Sequence, residues 1–260
     1  MLTHLEVLMS PAEFATLPRR DLSKTACVVF DVFRATSTAL QALQNGAEAI
    51  MPAADIRTAL AWREKEPDIL LAGERNGFRI GADLTGGIEF DLGNSPREFT
   101  QDRVQGRWIV MTTSNGTRAI DACRGSAALA IASFGNLAAT TDWLYRSGLS
   151  QLVIVCAGTL EHSALEDTLG AGALVDRIWN STRGGWIDDA AQVALQVYRS
   201  NHEDILSAAG QGRNGSRLLS LPELADDVPQ CLIPDRFDFA ALRTADGSIR
   251  REQEVDAGRV

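Results

Sequence analysis

The clearest indication of the fold of this chain is the segment Ala26-Cys27-Val28-Val29-Phe30-Asp31-Val32-Phe33-Arg34-Ala35-Thr36-Ser37-Thr38. Its first five residues form a short apolar run, which predicts a buried β-strand. An acid follows the run at once, and the hydroxyl side chains beyond the arginine favour the start of a helix. A buried strand that passes through a short polar turn into a helix is the repeating unit of α/β proteins.

The same alternation of apolar runs and helical patterns continues to about residue 181. Further strands are predicted at residues 49–51, 69–72, 108–111, 128–131 and 152–155. Helical spacing of apolar residues predicts helices near residues 39–46, 55–66, from about 116, and at 136–145, 168–180 and 188–198. This order predicts an α/β fold with one or more largely parallel or mixed sheets and flanking helices.

The two halves of this pattern resemble each other, which predicts an internal duplication of a βαβαβ unit. Residues 47–50 and 128–131 lie 81 positions apart and share three of four residues, and Thr36 with Thr117 keeps the same spacing. The first predicted half is 1–105, with a long polar loop at 73–105, and the second half is 106–260, with C-terminal helices and a tail. We expect that the halves can pack as one compact domain.

The C-terminal part of the chain has weaker patterns. The glycine-rich residues 210–216 are predicted to form a mobile loop. The tail that follows contains Pro222, Pro229 and Pro234 and predicts little regular structure.

Charge and composition exclude several classes of function. A net charge of −9 argues against a nucleic-acid-binding protein, because phosphate backbones are bound by clustered Lys and Arg. No apolar run approaches the roughly 18 residues that span a bilayer, and residues 1–6 lack the features of a signal peptide. We therefore expect a cytoplasmic protein with no membrane partner, and we leave open a homo-oligomer. The four cysteines are widely spaced and are expected to be buried free thiols.

The polar residues directly after the predicted strands are the candidates for function, because α/β sheets bind ligands at the carboxyl ends of their strands. Asp31 follows the first strand and is suited to bind Mg²⁺, while Arg34 and the helix start are suited to an oxyanion. The alternative is that Asp31 only fixes the turn. For Thr36 and Ser37 we favour a helix-capping role.

Two more strand ends carry polar groups of the same kind. Glu74 and Arg75 follow the strand near residue 70, where the acid could share a metal ion and the arginine could bind an oxyanion. Residues 114–117, Ser-Asn-Gly-Thr, form a turn whose backbone N–H groups could bind an anion, although the turn lacks the lysine of a Walker A loop. The alternative for this turn is an Asn-Gly turn in which Thr117 caps the helix.

The last strand end is followed by Asp167, at the start of a predicted helix. It could complete a set of carboxylates around Mg²⁺ or serve only as a helix cap. Cysteine-dependent phosphatase chemistry is excluded at Cys156, because the arginine it would need six positions later is replaced by His162. A covalent role for Asp31 stays open, although Phe33 stands where haloacid-dehalogenase-type phosphatases carry their second aspartate.

Five motifs in a fixed order resemble the motif series of the 2-phosphosulfolactate phosphatase family of coenzyme M biosynthesis. They are Asp31-Val32-Phe33-Arg34-Ala35-Thr36-Ser37-Thr38, Ala72-Gly73-Glu74-Arg75-Asn76-Gly77, Gly93-Asn94-Ser95-Pro96, Thr112-Thr113-Ser114-Asn115-Gly116-Thr117 and Cys156-Ala157-Gly158. Residues 166–167 and 215–218 continue the series, so the resemblance covers about residues 26–220.

The resemblance implies an α/β fold, a requirement for Mg²⁺, and hydrolysis of 2-phosphosulfolactate to sulfolactate and phosphate. It implies that Asp31, Glu74 and Asp167 are metal ligands and catalytic residues. It also implies that the oxyanions of a small phosphorylated substrate are bound by Arg34, Arg75, Asn76, Ser114, Asn115, Gly116 and Thr117.

Two alternatives to this hydrolase remain open at the level of sequence. The same arginines and N–H groups would suit a protein that binds anionic metabolites without turnover. The second alternative is a phosphotransferase that forms a phosphoenzyme at Asp31.

Overall fold

The computed structural model of the chain describes residues 2–182 and 184–252. Eleven strands in this part of the chain form one mixed sheet. The strands are β1 His4–Leu8, β2 Thr25–Phe30, β3 Ala49–Pro52, β4 Leu70–Arg75, β5 Phe78–Arg79, β6 Trp108–Thr112, β7 Ala128–Ala132, β8 Gln151–Cys156, β9 Trp186–Ile187, β10 Ala241–Arg243 and β11 Ile249–Arg251.

Helices connect most of these strands. They are α1 Pro11–Phe14, α2 Ala35–Gln44, α3 Ile56–Lys65, α4 Ala82–Thr85, α5 Gln101–Val104, α6 Gly116–Ala122, α7 Leu137–Ser147, α8 Leu165–Ile178, α9 Asp189–Asn201, α10 Ile205–Gln211, α11 Arg213–Leu219 and α12 Asp227–Cys231. The predicted α/β class with a mixed sheet and flanking helices is confirmed.

The strand order is β5-β4-β6-β3-β11-β10-β7-β2-β8-β1-β9. Strands β4, β6 and β3 pair in parallel on one side, and β7, β2, β8, β1 and β9 do so on the other. The antiparallel hairpin β10–β11 joins these two parallel parts, because β11 pairs with β3 and β10 pairs with β7. The two parts therefore form one sheet only through a C-terminal hairpin, which the sequence patterns did not predict.

In each parallel part, a strand from the other predicted half of the chain lies between two strands of its host half. Strand β6 lies between β3 and β4, which precede it in the chain, and β2 lies between β7 and β8, which follow it. The order β4-β6-β3 therefore has the same form as β8-β2-β7. The predicted halves are interleaved in one sheet, while the duplication and the boundary at residue 105 stay predictions.

The burial of β2 and α2 explains the apolar and small residues of segment 26–38. All six residues of β2 are buried, as expected for a strand with parallel neighbours on both sides and helices over both faces. Helix α2 is buried along nine of its ten residues, from Ala35 to Leu43, and is rich in alanine and hydroxyl side chains that allow close packing. The start of α2 is thereby fixed beside the end of β2.

One face of the sheet carries α2 and α6, and their apolar residues form a common core with both parallel parts. The opposite face is covered by α3 beside β3, β4 and β6, and by α7, α8 and α9 beside the other part. Strands β2 and β6 are five intervals apart, roughly 24 Å in a flat sheet. The turns after these strands nevertheless touch, since a Cβ on Gly116 would lie 2.7 Å from Oδ2 of Asp31.

The prediction of a loop at residues 210–216 is wrong. All of these residues except Gly212 belong to α10 and α11, and Gly215 packs against the backbone of the preceding helix, where an added Cβ would lie 2.1 Å from the carbonyl oxygen of Ala209. Glycine here serves a close approach between two helices, which a sequence pattern cannot distinguish from a turn.

The cysteines and the helices agree with what the composition predicts. All four cysteines are free and buried, as predicted. Within residues 2–182 and 184–252, none of the helices has the length and apolar character needed to cross a bilayer.

Candidate active site

The turns after β2, β4, β6 and β8 meet at one cleft, which is covered by residues 205–231, called here the C-terminal segment. The volume of the cleft is about 260 Å³. Six of the predicted site residues line it: Asp31, Arg34, Glu74, Asn76, Ser114 and Asn115. The other four, Arg75, Gly116, Thr117 and Asp167, are not among the described residues that form its wall.

Asp31 lies at the end of β2 and is 7% exposed. The backbone amide of Ala35, at the start of α2, donates to its Oδ1 over 3.2 Å. Burial raises the pKa of the Asp31 carboxyl to about 7, and the negative charges of Glu74 and Glu166 add to the increase, while the amides of Ala35 and Gly116 oppose it. A positive charge close to Asp31 would therefore favour the ionised form of its carboxyl.

Gly116 is required beside Asp31 for a steric reason. A Cβ on Gly116 would lie 2.7 Å from Oδ2 of Asp31 and 2.8 Å from the Cβ of Ala35. The starts of α2 and α6 can approach each other only because this position carries no side chain. Thr117 lies one residue further into the helix, where its hydroxyl donates to the carbonyl of Thr113 over 3.1 Å.

Glu74 connects two of the turns through its carboxylate. Its Oε2 accepts the backbone amide of Gly77 over 2.7 Å, and its Oε1 accepts that of Ser114 over 2.8 Å. These bonds fix the carboxylate in the wall of the cleft. One of the predicted anion-binding N–H groups, that of Ser114, is thus used by an acid of the protein.

Asp167 holds two turns together from beneath the cleft. Its Oδ1 accepts the amide of Val32 over 2.8 Å, and its Oδ2 accepts the amide of Gly158 over 3.0 Å. Burial raises its pKa well above the usual value, and the charges of Glu166 and Asp31 act in the same direction. The structure therefore assigns Asp167 a clear positioning task, while its predicted role as a metal ligand stays a prediction.

Arg34 lines the cleft but is already paired. Its Nη1 donates to Oδ2 of Asp227 over 2.6 Å, and its Nη2 donates to the carbonyl of Gly77 over 2.6 Å. Asp227, which is 0% exposed, also accepts from the hydroxyl of Ser95 over 2.6 Å and from Nε of Arg97 over 2.8 Å. Most of the positive charge of Arg34 is therefore compensated by an acid that the sequence patterns did not single out.

Arg75 is directed toward the end of β6 instead of the cleft. Its guanidinium donates to the carbonyl of Glu74 over 2.6 Å and to the hydroxyl of Thr112 over 3.1 Å. Burial lowers its pKa from the usual value, although the charges of Glu74 and Asp55 oppose the change. In this arrangement Arg75 stabilises the strand ends.

Glu166 is a buried acid close to the site that was not among the predicted site residues. It is 1% exposed, and its Oε1 accepts from Nδ2 of Asn214 over 2.6 Å. Its Oε2 has no hydrogen-bond partner among the described residues. Burial raises the pKa of Glu166, and the bond from Asn214 and the charge of Arg213 partly offset this.

The C-terminal segment supplies the other residues that sequence reasoning missed. Arg213, Asn214 and Arg217 face the cleft, and Leu218, Leu221 and Leu224 form an apolar wall together with Phe33 and Leu160. The only sequence signal for this segment was the motif continuation at residues 215–218, because its glycines predict a loop.

The oxygen atoms present fit a hard divalent cation. Asp31 and Glu74 offer carboxylates, and Oδ1 of Asn94 and Oγ1 of Thr113 are buried beside the cleft without a partner in the described structure. In the described ranges, no group of three or more His, Cys, Asp or Glu side chains is arranged to hold a metal ion. This does not conflict with Mg²⁺, which is commonly bound by one or two carboxylates, with water and substrate phosphate as further ligands.

A second cavity of about 410 Å³ lies away from these turns, beside Met51, Trp62 and Trp108. Its volume is of the same order as that of the cleft, but it contains none of the candidate residues. Size alone therefore does not identify the site, whereas the convergence of strand ends, acids and arginines does.

Comparisons with known proteins agree with the motif series. The protein family described as 2-phosphosulpholactate phosphatase matches residues 13–244. A protein of Thermotoga petrophila named probable 2-phosphosulfolactate phosphatase is 38% identical over 210 residues, which cover 81% of this chain and 85% of that protein. Proteins of the same name from Caldanaerobacter subterraneus and a Synechococcus species are 32% and 36% identical over 90% and 86% of this chain, and 94% and 91% of their own lengths.

Proposed function

The chain belongs to the 2-phosphosulfolactate phosphatase family, and from this premise we propose that it hydrolyses 2-phosphosulfolactate to sulfolactate and phosphate with the help of Mg²⁺. The reaction class is the hydrolysis of a phosphoric monoester. Family membership and the names of the relatives support the substrate, and the geometry of the cleft supports the chemistry.

The observation that carries the proposal is the meeting of Asp31 and Glu74 at one cleft, although they are 43 positions apart in the chain. Two acids in a cleft repel a substrate that bears phosphate, sulfonate and carboxylate groups. Mg²⁺ held by Asp31 and Glu74 would offset this repulsion, and it would also favour the ionised form of Asp31. The acids and the anionic substrate thus become compatible through Mg²⁺.

When bound, Mg²⁺ neutralises charge on the phosphoryl oxygens and orients the attacking group. Asp31 and Glu74 would hold the ion, and their own orientation is fixed by the amides of Ala35, Gly77 and Ser114. Asp167 keeps the turns after β2 and β8 together. Arg34, held by Asp227 in the wall of the cleft, would contact a phosphoryl oxygen with a remaining N–H group.

The test is release of phosphate from 2-phosphosulfolactate by the purified protein. We expect activity that requires Mg²⁺, stops with a chelator, and falls at least about a hundredfold in Asp31→Asn, because the lost carboxylate supports several kcal/mol of charge stabilisation. Asp142→Asn is the matched control, since Asp142 is exposed on α7, away from the cleft.

Other outcomes would favour the alternatives. Saturable binding of 2-phosphosulfolactate without phosphate release, and without an effect of metal, would indicate a binding protein. Transfer of phosphate to an added alcohol, with a phosphoenzyme at Asp31, would indicate a phosphotransferase.

A further inference from the structure

Two arginines of α11 line the same cleft as the acids. Arg213 and Arg217 are four positions apart, so they lie on the same side of the helix, and both line the cleft. Both side chains belong to exposed residues at its outer rim. They therefore approach a bound substrate from the solvent side, whereas Asp31 and Glu74 approach it from the strand ends.

These two guanidinium groups differ from that of Arg34 in their partners. Arg34 forms an ion pair with Asp227 at 2.6 Å. Arg213 donates to the carbonyl of Thr159 over 3.0 Å, and Arg217 donates to the carbonyl of Asn76. Across the described residues, no carboxylate lies within 4.0 Å of either side chain. Their positive charge is thus available to a ligand.

The helix that carries them is held firmly in place. Nδ2 of Asn214 donates to Oε1 of Glu166 and to the hydroxyl of Thr159, each over 2.6 Å. Leu218 is buried in the main core, and Gly215 packs directly on α10. Because the backbone is anchored between the two arginines, their side chains are presented to the cleft from a fixed base.

We propose that Arg213 and Arg217 bind the non-reacting anionic groups of the substrate, its sulfonate or carboxylate, and so select phosphate monoesters that carry a second anion. This inference rests on the proposed function. The phosphoryl group must lie near Asp31 and Glu74 to react, which leaves the rest of a small substrate close to the rim. Planar guanidinium groups match sulfonate and carboxylate oxygens in pairs of hydrogen bonds.

The first experiment compares three substrates in Arg213→Met and Arg217→Met. The substrates are 2-phosphosulfolactate, 2-phospholactate, which lacks the sulfonate, and isopropyl phosphate, which has no second anion. We expect kcat/KM for 2-phosphosulfolactate to fall about tenfold to a hundredfold, mainly through KM, because a hydrogen bond to a charged group is lost. For isopropyl phosphate the change should stay below about threefold.

The three substrates also show which anion is bound. A loss confined to 2-phosphosulfolactate assigns the sulfonate to the substituted arginine, and an equal loss with 2-phospholactate assigns the carboxylate. Arg57→Met is the matched control, because Arg57 is exposed on α3 and away from the cleft. Arg217→Lys should recover part of the lost activity, since charge remains but the paired geometry does not.

A loss of the same size with isopropyl phosphate would overturn the inference, as would unchanged kcat/KM for 2-phosphosulfolactate in both methionine variants. Inhibition by the two products is an independent measurement. Sulfolactate should inhibit these variants more weakly than the unsubstituted protein, and inorganic phosphate should inhibit both to a similar degree.

The inference and the proposed function can fail separately. If the unsubstituted protein releases no phosphate from 2-phosphosulfolactate, the proposed function fails. Calorimetric binding of sulfolactate to the same protein, and its loss in Arg217→Met, would still test the anion site. If hydrolysis occurs but sulfolactate binding does not depend on either arginine, only the inference fails.

Discussion

The strand-end turns and the C-terminal segment meet at the same cleft but hold their side chains in different ways. In the turns, Asp31 accepts the backbone amide of Ala35 at the start of α2, and Glu74 accepts amides from the turns after β4 and β6. In the C-terminal segment, Asp227 reaches Arg34 across 193 positions, and Arg217 reaches Asn76 across 141. The acids of the site are therefore held by backbone N–H groups, whereas its arginines depend on contacts between segments far apart in the chain, which form only in the complete fold.

This difference predicts that losing an acid of the turns abolishes turnover without unfolding the protein. In Glu74→Gln we expect kcat to fall on the order of a thousandfold, because one of two carboxylates that face the substrate is neutral. Glu161→Gln is the control, since Glu161 forms only an exposed ion pair with Arg118 at 3.3 Å. Steady-state kinetics with Mg²⁺ measure the effect, and retention of a tenth of the activity by Glu74→Gln would contradict it.

The buried ion pair of Arg34 and Asp227 joins the strand-end turns to the C-terminal segment. Among the contacts between these two regions, we expect it to contribute most to the free energy of unfolding. We expect Asp227→Asn to lower the free energy of unfolding by about 3 kcal/mol, because an unpaired buried guanidinium remains. Asp226→Asn is a matched control at the adjacent position, where the side chain is 78% exposed and lies 3.5 Å from Arg97. Its effect should stay below about 1 kcal/mol in urea titrations, and equal effects of the two variants would refute the comparison.

The acids of the turns should also make stability depend on pH. The pKa of Asp31 is about 7 in the folded protein and 3.8 ordinarily, so the folded state binds more protons between these values. Stability is then fully present below about pH 4 and is lost as pH rises through 7, by roughly 2 kcal/mol after allowance for coupling to the neighbouring acids.

The measurement is urea unfolding of metal-free protein at pH 5 and pH 8. Asp31→Asn removes this contribution, so its stability relative to the unsubstituted protein should rise between the two pH values. A relative stability that is constant with pH would show that the Asp31 carboxyl titrates normally.

A smaller effect is expected where the C-terminal segment is attached through Asn214. Asn214→Ala removes the bond to Glu166 and leaves both oxygens of that buried carboxyl without a partner. We expect a loss of about 1.5 kcal/mol in the free energy of unfolding. Asn201→Ala, which loses one bond to the carbonyl of Val197 on α9, should change it less, and the reverse order would argue against this attachment.

Sequence alone was sufficient for much of the fold because most elements have strong local patterns. The apolar run at 26–30 and the helix cap at Asp55 predicted β2 and α3 to within one residue of their starts. Strand β1 and the hairpin β10–β11 were missed, because short strands of three to five residues are stabilised by their pairing partners. The order of strands in the sheet also depends on these pairings.

The candidate site was predictable in the turns and only partly elsewhere. Asp31 and Ser114 lie just after strands and Glu74 lies near the end of one, so the rule for strand ends located them. Asp227 and Asn214 follow no strand and match no spacing, and their partners become visible only in three dimensions. Arg75 follows Glu74 in the sequence, but its side chain points to the end of β6 and not into the cleft. Its position next to a site residue therefore did not predict its direction.

The interleaved sheet has a consequence for biosynthesis. Residues of β2 leave the ribosome long before β7 and β8, which flank it in the finished sheet. At typical elongation rates the gap of more than a hundred residues corresponds to about ten seconds. During that time an entirely apolar segment lacks both of its neighbours, so the nascent chain needs either shielding by a chaperone or temporary partners within its own first half.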